Sequence, residues 1–168
     1  HSQTGMYEAK KMRSLIFDIF ASFLAAGLDP KQSTIFQQSQ VPAHAELMWH
    51  LGTIAPMGEL ERMTQFKDKI ARGVPANAGL FMYPVLQAAD ILIYDAAVVP
   101  VGEEQLQHLE LARTLARKFN KKFGKVFVEP KALLTETPRV MSLNDPTKKM
   151  SKSQPDGCLF LDDSPVEI

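Results

Sequence analysis

Between Lys148 and Gly157 the sequence reads KKMSKSQPDG, with Lys149, Met150, Ser151, Lys152 and Ser153 at its centre. Two lysines flank a Met-Ser pair in a stretch too rich in Pro, Gly and Asp for a helix interior, directly after Asp145-Pro146-Thr147, which reads as a turn. A loop of this kind can lay two ammonium groups against a polyphosphate. Hydroxyls and backbone N–H groups then take the remaining oxygens and stabilise the charge that builds on a departing pyrophosphate. A Lys-x-x-Lys pair taken alone is more often a solvated basic turn, so the chemistry depends on what accompanies it.

Asp90 is the second candidate. It is flanked by Val85, Leu86, Ala88, Ala89, Ile91, Leu92 and Ile93, and a carboxylate is costly to bury there unless something hydrogen-bonds to it. Tyr83 and Gln87 precede it by seven and three residues, offsets that share a face on a continuous helix. The pattern leaves two readings open: a carboxylate that serves a ligand, or one that caps or pairs with a neighbouring element. A third candidate is the passage from Val98-Val99-Pro100-Val101 through Gly102 into Glu103-Glu104-Gln105, where a strand gives way to a helix start. Backbone N–H groups converge at such a turn, and α/β sheets place ligands there. His44 and His50 are six apart and do not share a helical face, so packing or surface roles suit them better than metal ligation, and no metal site is expected.

The elements that position these residues follow from periodicity. Met12, Leu15, Ile16, Ile19, Phe20, Phe23 and Leu24 recur at helical steps in a helix over 8–26 that Gly27 ends. Thr34-Ile35-Phe36 reads as a short buried strand, and Pro42 opens a helix through Trp49. A further helix covers 58–69, with Leu60, Met63, Phe66 and Ile70 on one face. After the linker 72–77, Pro84 is expected to separate a short helical piece from a second helix over 84–94. The helix opening at Glu103 has Leu106, Leu109, Leu115 and Phe119 as its core face. Lys125–Val128 and Val140–Leu143 read as short strands.

At 168 residues and 45% hydrophobic content the chain suits one soluble globular core. Nineteen basic and nineteen acidic residues cancel, so any nucleic-acid contact must be local rather than driven by a global field. The single cysteine, Cys158, cannot form an internal disulfide and fits a reducing compartment. No apolar run reaches the roughly 20 residues needed to span a bilayer.

Tyr83-Pro84-Val85-Leu86-Gln87-Ala88-Ala89-Asp90, then Val99 to Gln105, then Lys149 to Ser153 occur in one order, joined by GELERMTQFKDK and LNDPTKKMSKS. Together these segments resemble the tryptophanyl-tRNA synthetase family of class I aminoacyl-tRNA synthetases over nearly the whole chain. The resemblance implies a helix-rich, partial Rossmann-type α/β nucleotide-binding fold and the activation of L-tryptophan by ATP with Mg2+, without a tightly bound cofactor. It further implies transfer to tRNA(Trp), a cytoplasmic setting and a homodimer. It makes the 168 residues one segment of a catalytic domain, with the family's first strand and HIGH-like motif expected before His1 and its helical anticodon-binding domain after Ile168.

Carried over by position, Asp90 would accept the indole N–H, Tyr83 and Gln105 would hold the ammonium, and Gln87, Val99, Val101 and His1 would complete the tryptophan pocket. Gly102, Glu103 and Glu104 would meet the ATP ribose, and Val140 and Met150 the adenine. Lys149, Ser151, Lys152, Ser153 and Lys69 would meet the phosphates, with Lys149, Ser151 and Lys152 as the catalytic group. Two positions depart from the family pattern. Gln87 replaces a frequent methionine and resembles the tyrosyl enzymes, and Glu104 replaces aspartate. A tyrosyl segment, and a catalytically silent binding module, are the alternatives.

Overall fold

The computed structural model describes residues 1–4, 7–134, 140–148, 150, 155–160, 163–164 and 166. Helix α5, Ala78–Leu92, is the axis of the molecule, and eight of its residues are buried, from Leu80 to Leu92. Its start is fixed by Asn77, whose side-chain oxygen accepts the Leu80 N–H at 2.8 Å, a conventional N-cap. Helices α2, Ala43–Gly52, and α6, Leu106–Phe123, pack against it. Leu51, Val85, Ala88, Leu92, Leu109, Ala112 and Leu115 are at most 3% exposed and form the centre of the core. Small residues at 88, 89, 112 and 116 let the helices approach closely.

The two helical pieces expected on either side of Pro84 are one, and α5 runs through the proline without a break. Pro84 is itself fully buried, so packing on this helix outweighs the loss of one N–H donor. The single helix expected over 58–69 is instead two, α3, Met57–Glu61, and α4, Thr64–Ala71. A side chain from α6 holds the break open: Gln107 accepts from the Thr64 N–H and hydroxyl, both at 2.9 Å, and donates to the Arg62 carbonyl at 3.2 Å. Met63, at the break, is 2% exposed and anchors it in the core.

Strands β1, Val98–Pro100, and β2, Lys131–Leu133, pair in parallel with Val99 opposite Ala132. With α6 between them they form a β-α-β unit, the Rossmann-type component expected from the sequence. The strand expected over Thr34–Phe36 is extended chain with no ladder, and Phe36 instead packs its ring near His44 and Tyr94. Lys125–Val128 is likewise not a strand, because Asn120 Oδ1 accepts both the Val126 and Phe127 N–H groups at 2.9 Å and removes them from any ladder. Of Val140–Leu143 only Met141 forms an isolated bridge. The first turn of the helix expected from Glu103 is a 3-10 turn, Glu103–Gln105. Leu106, expected in the core, is 39% exposed, while Leu111 and Ala112 take that place.

Helix α1, Ala9–Ala25, ends at Gly27 as expected, in a left-handed conformation with φ of 92°. Its apolar residues do not reach the core: no residue of α1 is buried and Phe17 is 78% exposed. No helix among the described residues is long and apolar enough to cross a membrane.

Candidate functional site

Tyr83, Gln87 and Asp90 lie along α5, and each gathers polar side chains from other elements. The Asp90 carboxylate meets three groups. Gln38, from the short 3-10 turn Gln38–Gln40, donates its amide to both oxygens at 2.7 Å. His44, in the first turn of α2, is 2.6 Å from Oδ1, and His1 is 2.7 Å from Oδ2. An ionised carboxylate only accepts, so both imidazoles present N–H to it. His44 then carries its proton on Nδ1, and in the neutral ring Nε2 accepts the Tyr94 hydroxyl at 2.8 Å. The His44 side chain is 4% exposed, Asp90 25% and His1 36%, so the group opens to solvent on the His1 side.

Two turns earlier, the Tyr83 hydroxyl lies 2.9 Å from His108 Nε2 and donates to Gln65 Oε1 at 3.2 Å. Because a phenol has one proton, this assigns the His108 proton to Nε2 and leaves Nδ1 with a lone pair and no partner among the described residues, which costs less than an orphaned N–H. Lys69 Nζ stands 4.9 Å from the centroid of the Tyr83 ring, one turn beyond Gln65 on α4. Burial raises the Tyr83 pKa above its ordinary value and keeps the phenol neutral. Burial first, and the Lys69 charge second, push the His108 pKa below the ordinary imidazole value. Between the two groups, Gln87 donates to Gln105 at 3.3 Å.

The remaining expected residues fall into two sets. Val99 and Val101 are half-buried against the core, and Val101 N–H bonds to the Leu133 carbonyl at 3.1 Å, just beyond β1. Gly102 precedes the 3-10 turn, with Glu103 and Glu104 exposed on it. Val140 and Met150 are brought together by their backbones, Met150 N–H donating to the Val140 carbonyl at 3.0 Å. The expected turn before the lysines is present: Asp145 Oδ1 accepts the Thr147 hydroxyl at 2.6 Å and the Thr147 N–H at 3.1 Å, and Oδ2 pairs with Lys148 at 3.0 Å. These bonds, with the Thr147 hydroxyl foremost, lower the Asp145 pKa. Lys149, Ser151, Lys152 and Ser153 lie outside the described residues.

Sequence reasoning did not single out Gln38, Gln65 or His108, and gave His44 only a packing or surface role. A usable signal existed for His108, which falls at helical spacing with the core residues Leu111 and Leu115. Gln38 carries no such signal, since its partner is 52 residues away. Among the described residues, no three His, Cys, Asp or Glu side chains are grouped so as to hold a metal ion.

The family model for class I tRNA synthetases (W and Y) matches residues 1–168. The tryptophan–tRNA ligase of Halalkalibacterium halodurans is 51% identical over 156 residues, 92% of this chain and 47% of the relative, so the chain spans about half the length of the curated relatives it matches. Among solved structures, tryptophanyl-tRNA synthetase from Mycoplasma pneumoniae superposes with a TM-score of 0.91 at 40% identity, covering 99% of this chain and 51% of that one. The Campylobacter jejuni enzyme, complexed with ADP and tryptophan, gives a TM-score of 0.84 at 44% identity over 91% of this chain and 48% of its own. The match from the first residue to the last, on a helical frame that these structures share, leads to one conclusion: the chain belongs to the class I tRNA synthetases of the W and Y family.

Proposed function

We propose that the chain supplies the amino-acid and ATP site of a tryptophan–tRNA ligase. The observation that carries this reading is the contrast along α5. A carboxylate ringed by N–H donors lies at one end, and a neutral phenol with a lysine over its ring lies two turns away. Seven residues of helix separate them by about 10 Å. A tryptophan zwitterion suits that spacing in one orientation. Its carboxylate and the α-phosphate that it attacks are favoured near Lys69 and disfavoured near Asp90. The ammonium, on the same Cα as that carboxylate, stays beside Tyr83 and Gln105, and the indole N–H is left to face Asp90, whose charge is already met by donors. Of the three groups on Asp90, His1 is the most exposed, and its position on Oδ2 is the one the indole N–H would take. Gln87, Val99 and Val101 complete the pocket in this reading.

In the reaction, a tryptophan carboxylate oxygen forms a bond to the ATP α-phosphorus while the bond to the β-phosphate oxygen breaks, releasing pyrophosphate. A ribose hydroxyl of tRNA(Trp) then attacks the aminoacyl carbonyl, and AMP leaves. Gly102, Glu103 and Glu104 are assigned to the ATP ribose, and Val140 and Met150 to adenine. Lys69, Lys149, Ser151, Lys152 and Ser153 are assigned to the phosphates, with Mg2+ accompanying the nucleotide. The turn fixed by Asp145 ahead of the lysines and the Val140–Met150 bond support that assignment. A cytoplasmic homodimer is part of the same reading.

Gln87 favours a second reading, a tyrosyl enzyme, because it stands where many tryptophanyl members have methionine. Amino-acid-dependent exchange of pyrophosphate into ATP separates the two. With the full-length protein that carries this chain, exchange is expected with tryptophan and not with tyrosine, and the reverse pattern would establish the tyrosyl reading.

A further inference from the structure

We propose that His44 is a positioning residue for Asp90 and thereby sets the preference for an indole N–H; the inference rests on the tryptophan–tRNA ligase reading. Of the groups on Asp90, His44 alone is fully enclosed, at 4% exposure. Its Nδ1–H holds Oδ1 at 2.6 Å, and its Nε2 is tied to the Tyr94 hydroxyl at 2.8 Å. Its ring also packs near Phe36, with centroids 5.8 Å apart, and near Tyr94, at 5.5 Å. The imidazole is therefore fixed at both nitrogens.

The terminal torsion of an aspartate is broad, so the carboxylate needs an external hold to keep one oxygen aimed at a ligand. Gln38 cannot supply that hold alone, because its amide is equidistant from both oxygens at 2.7 Å and does not distinguish them. His1 cannot either, since it occupies the oxygen that the ligand would use. His44 fixes Oδ1, and Oδ2 is presented toward the His1 side as a consequence. Selectivity for a donor depends on such a fixed acceptor, because a pocket that relies on apolar shape alone discriminates weakly.

The test compares tryptophan with β-(3-benzothienyl)alanine, in which sulfur replaces the indole N–H, by pyrophosphate exchange on the full-length protein. The readout is the ratio of kcat/KM for the two amino acids. His44→Leu is expected to lower that ratio roughly tenfold or more, the scale of one hydrogen bond to a charged group, with KM for ATP changed less than about twofold. His44→Asn places an amide nitrogen where Nδ1 stood and should retain most of the ratio. His44→Gln, whose amide reaches the Nε2 position, should not. Tyr94→Phe removes the outer anchor at a residue 53% exposed and should lower the ratio by a smaller factor; with the Asn and Gln pair it carries the test where His44→Leu fails to fold. An unchanged ratio in folded His44→Leu, an equal fall in the Asn and Leu variants, or a rise in the ratio would each overturn the proposal, the last by showing that His44 competes with the ligand. A wild-type ratio near one would overturn the role given to Asp90, and the inference with it.

Discussion

Tyr83 and Asp90 stand two turns apart on one helix, yet their surroundings are built in opposite ways. Around Asp90, donors come from residues that precede α5, namely His1, the Gln38 turn and His44 of α2. Around Tyr83, partners come from α4 before it and α6 after it, and the acid-base groups are held neutral beside a cation. One end is an anion saturated with donors, while the other is a neutral hydrogen-bonded pair under a positive charge. The difference gives a single helix two unlike ends, one that offers an acceptor to an indole N–H and one that offers a cation to a carboxylate, with the ammonium held by hydrogen bonds rather than by a counter-charge.

The comparison can be sharpened first at the phosphate side, where the largest effect is expected. In the full-length protein, Lys152→Ala should slow adenylate formation by roughly two to three powers of ten, the usual loss for one preorganised electrostatic group, while ATP affinity changes much less. Single-turnover kinetics separate the two, and weaker ATP binding with an unaltered chemical step would make the loop a simple phosphate clamp. At the anionic pole, Asp90→Asn should reduce the preference for tryptophan over its N–H-lacking analogue by roughly two powers of ten. Competitive exchange assays would show it, and an unchanged preference would remove the distinction between the two poles.

At the neutral pole the effects are smaller. Tyr83→Phe leaves His108 Nε2 without its partner and should cost about 1–3 kcal/mol of stability by denaturant titration. His108 also predicts a pH dependence. Its folded-state pKa lies below the ordinary imidazole value of about 6.5, so the unfolded chain binds the proton first as pH falls. The stability it contributes is complete above that value and is lost as pH falls toward the depressed one. His108→Gln should flatten this part of the stability profile, and a slope that persists in the variant would assign it to another group. Gln87→Met should have the least effect, less than about threefold in tryptophan KM, because the exchanged bond to Gln105 is long at 3.3 Å.

The sequence exposed the hub residues but not what surrounds them. Asp90 and Tyr83 were legible because a polar residue in an apolar helix advertises its own burial problem. Helix α6 was legible from periodicity and α2 from the proline at its start, whereas α5 was expected in two pieces and the helices' exact partners were not legible. Pro84 inside α5 and the break at Met63 both go against the local pattern, and both are decided by packing or by one distant side chain, Gln107. The apolar spacing of α1 is helical as expected, but spacing says nothing about what a face packs against, and here that face is exposed. His44 and His108 were hidden for a related reason: each bonds to a residue at least 25 positions away.

The central claim is that the two poles bind opposite ends of the same substrate. A crystal structure of the full-length protein with tryptophan bound tests it directly. The account predicts the indole nitrogen at about 3 Å from the Asp90 carboxylate, with His1 displaced from Oδ2 and the ammonium beside Tyr83 and Gln105. An ammonium group seated on Asp90, with the indole ring directed toward Tyr83, would contradict it.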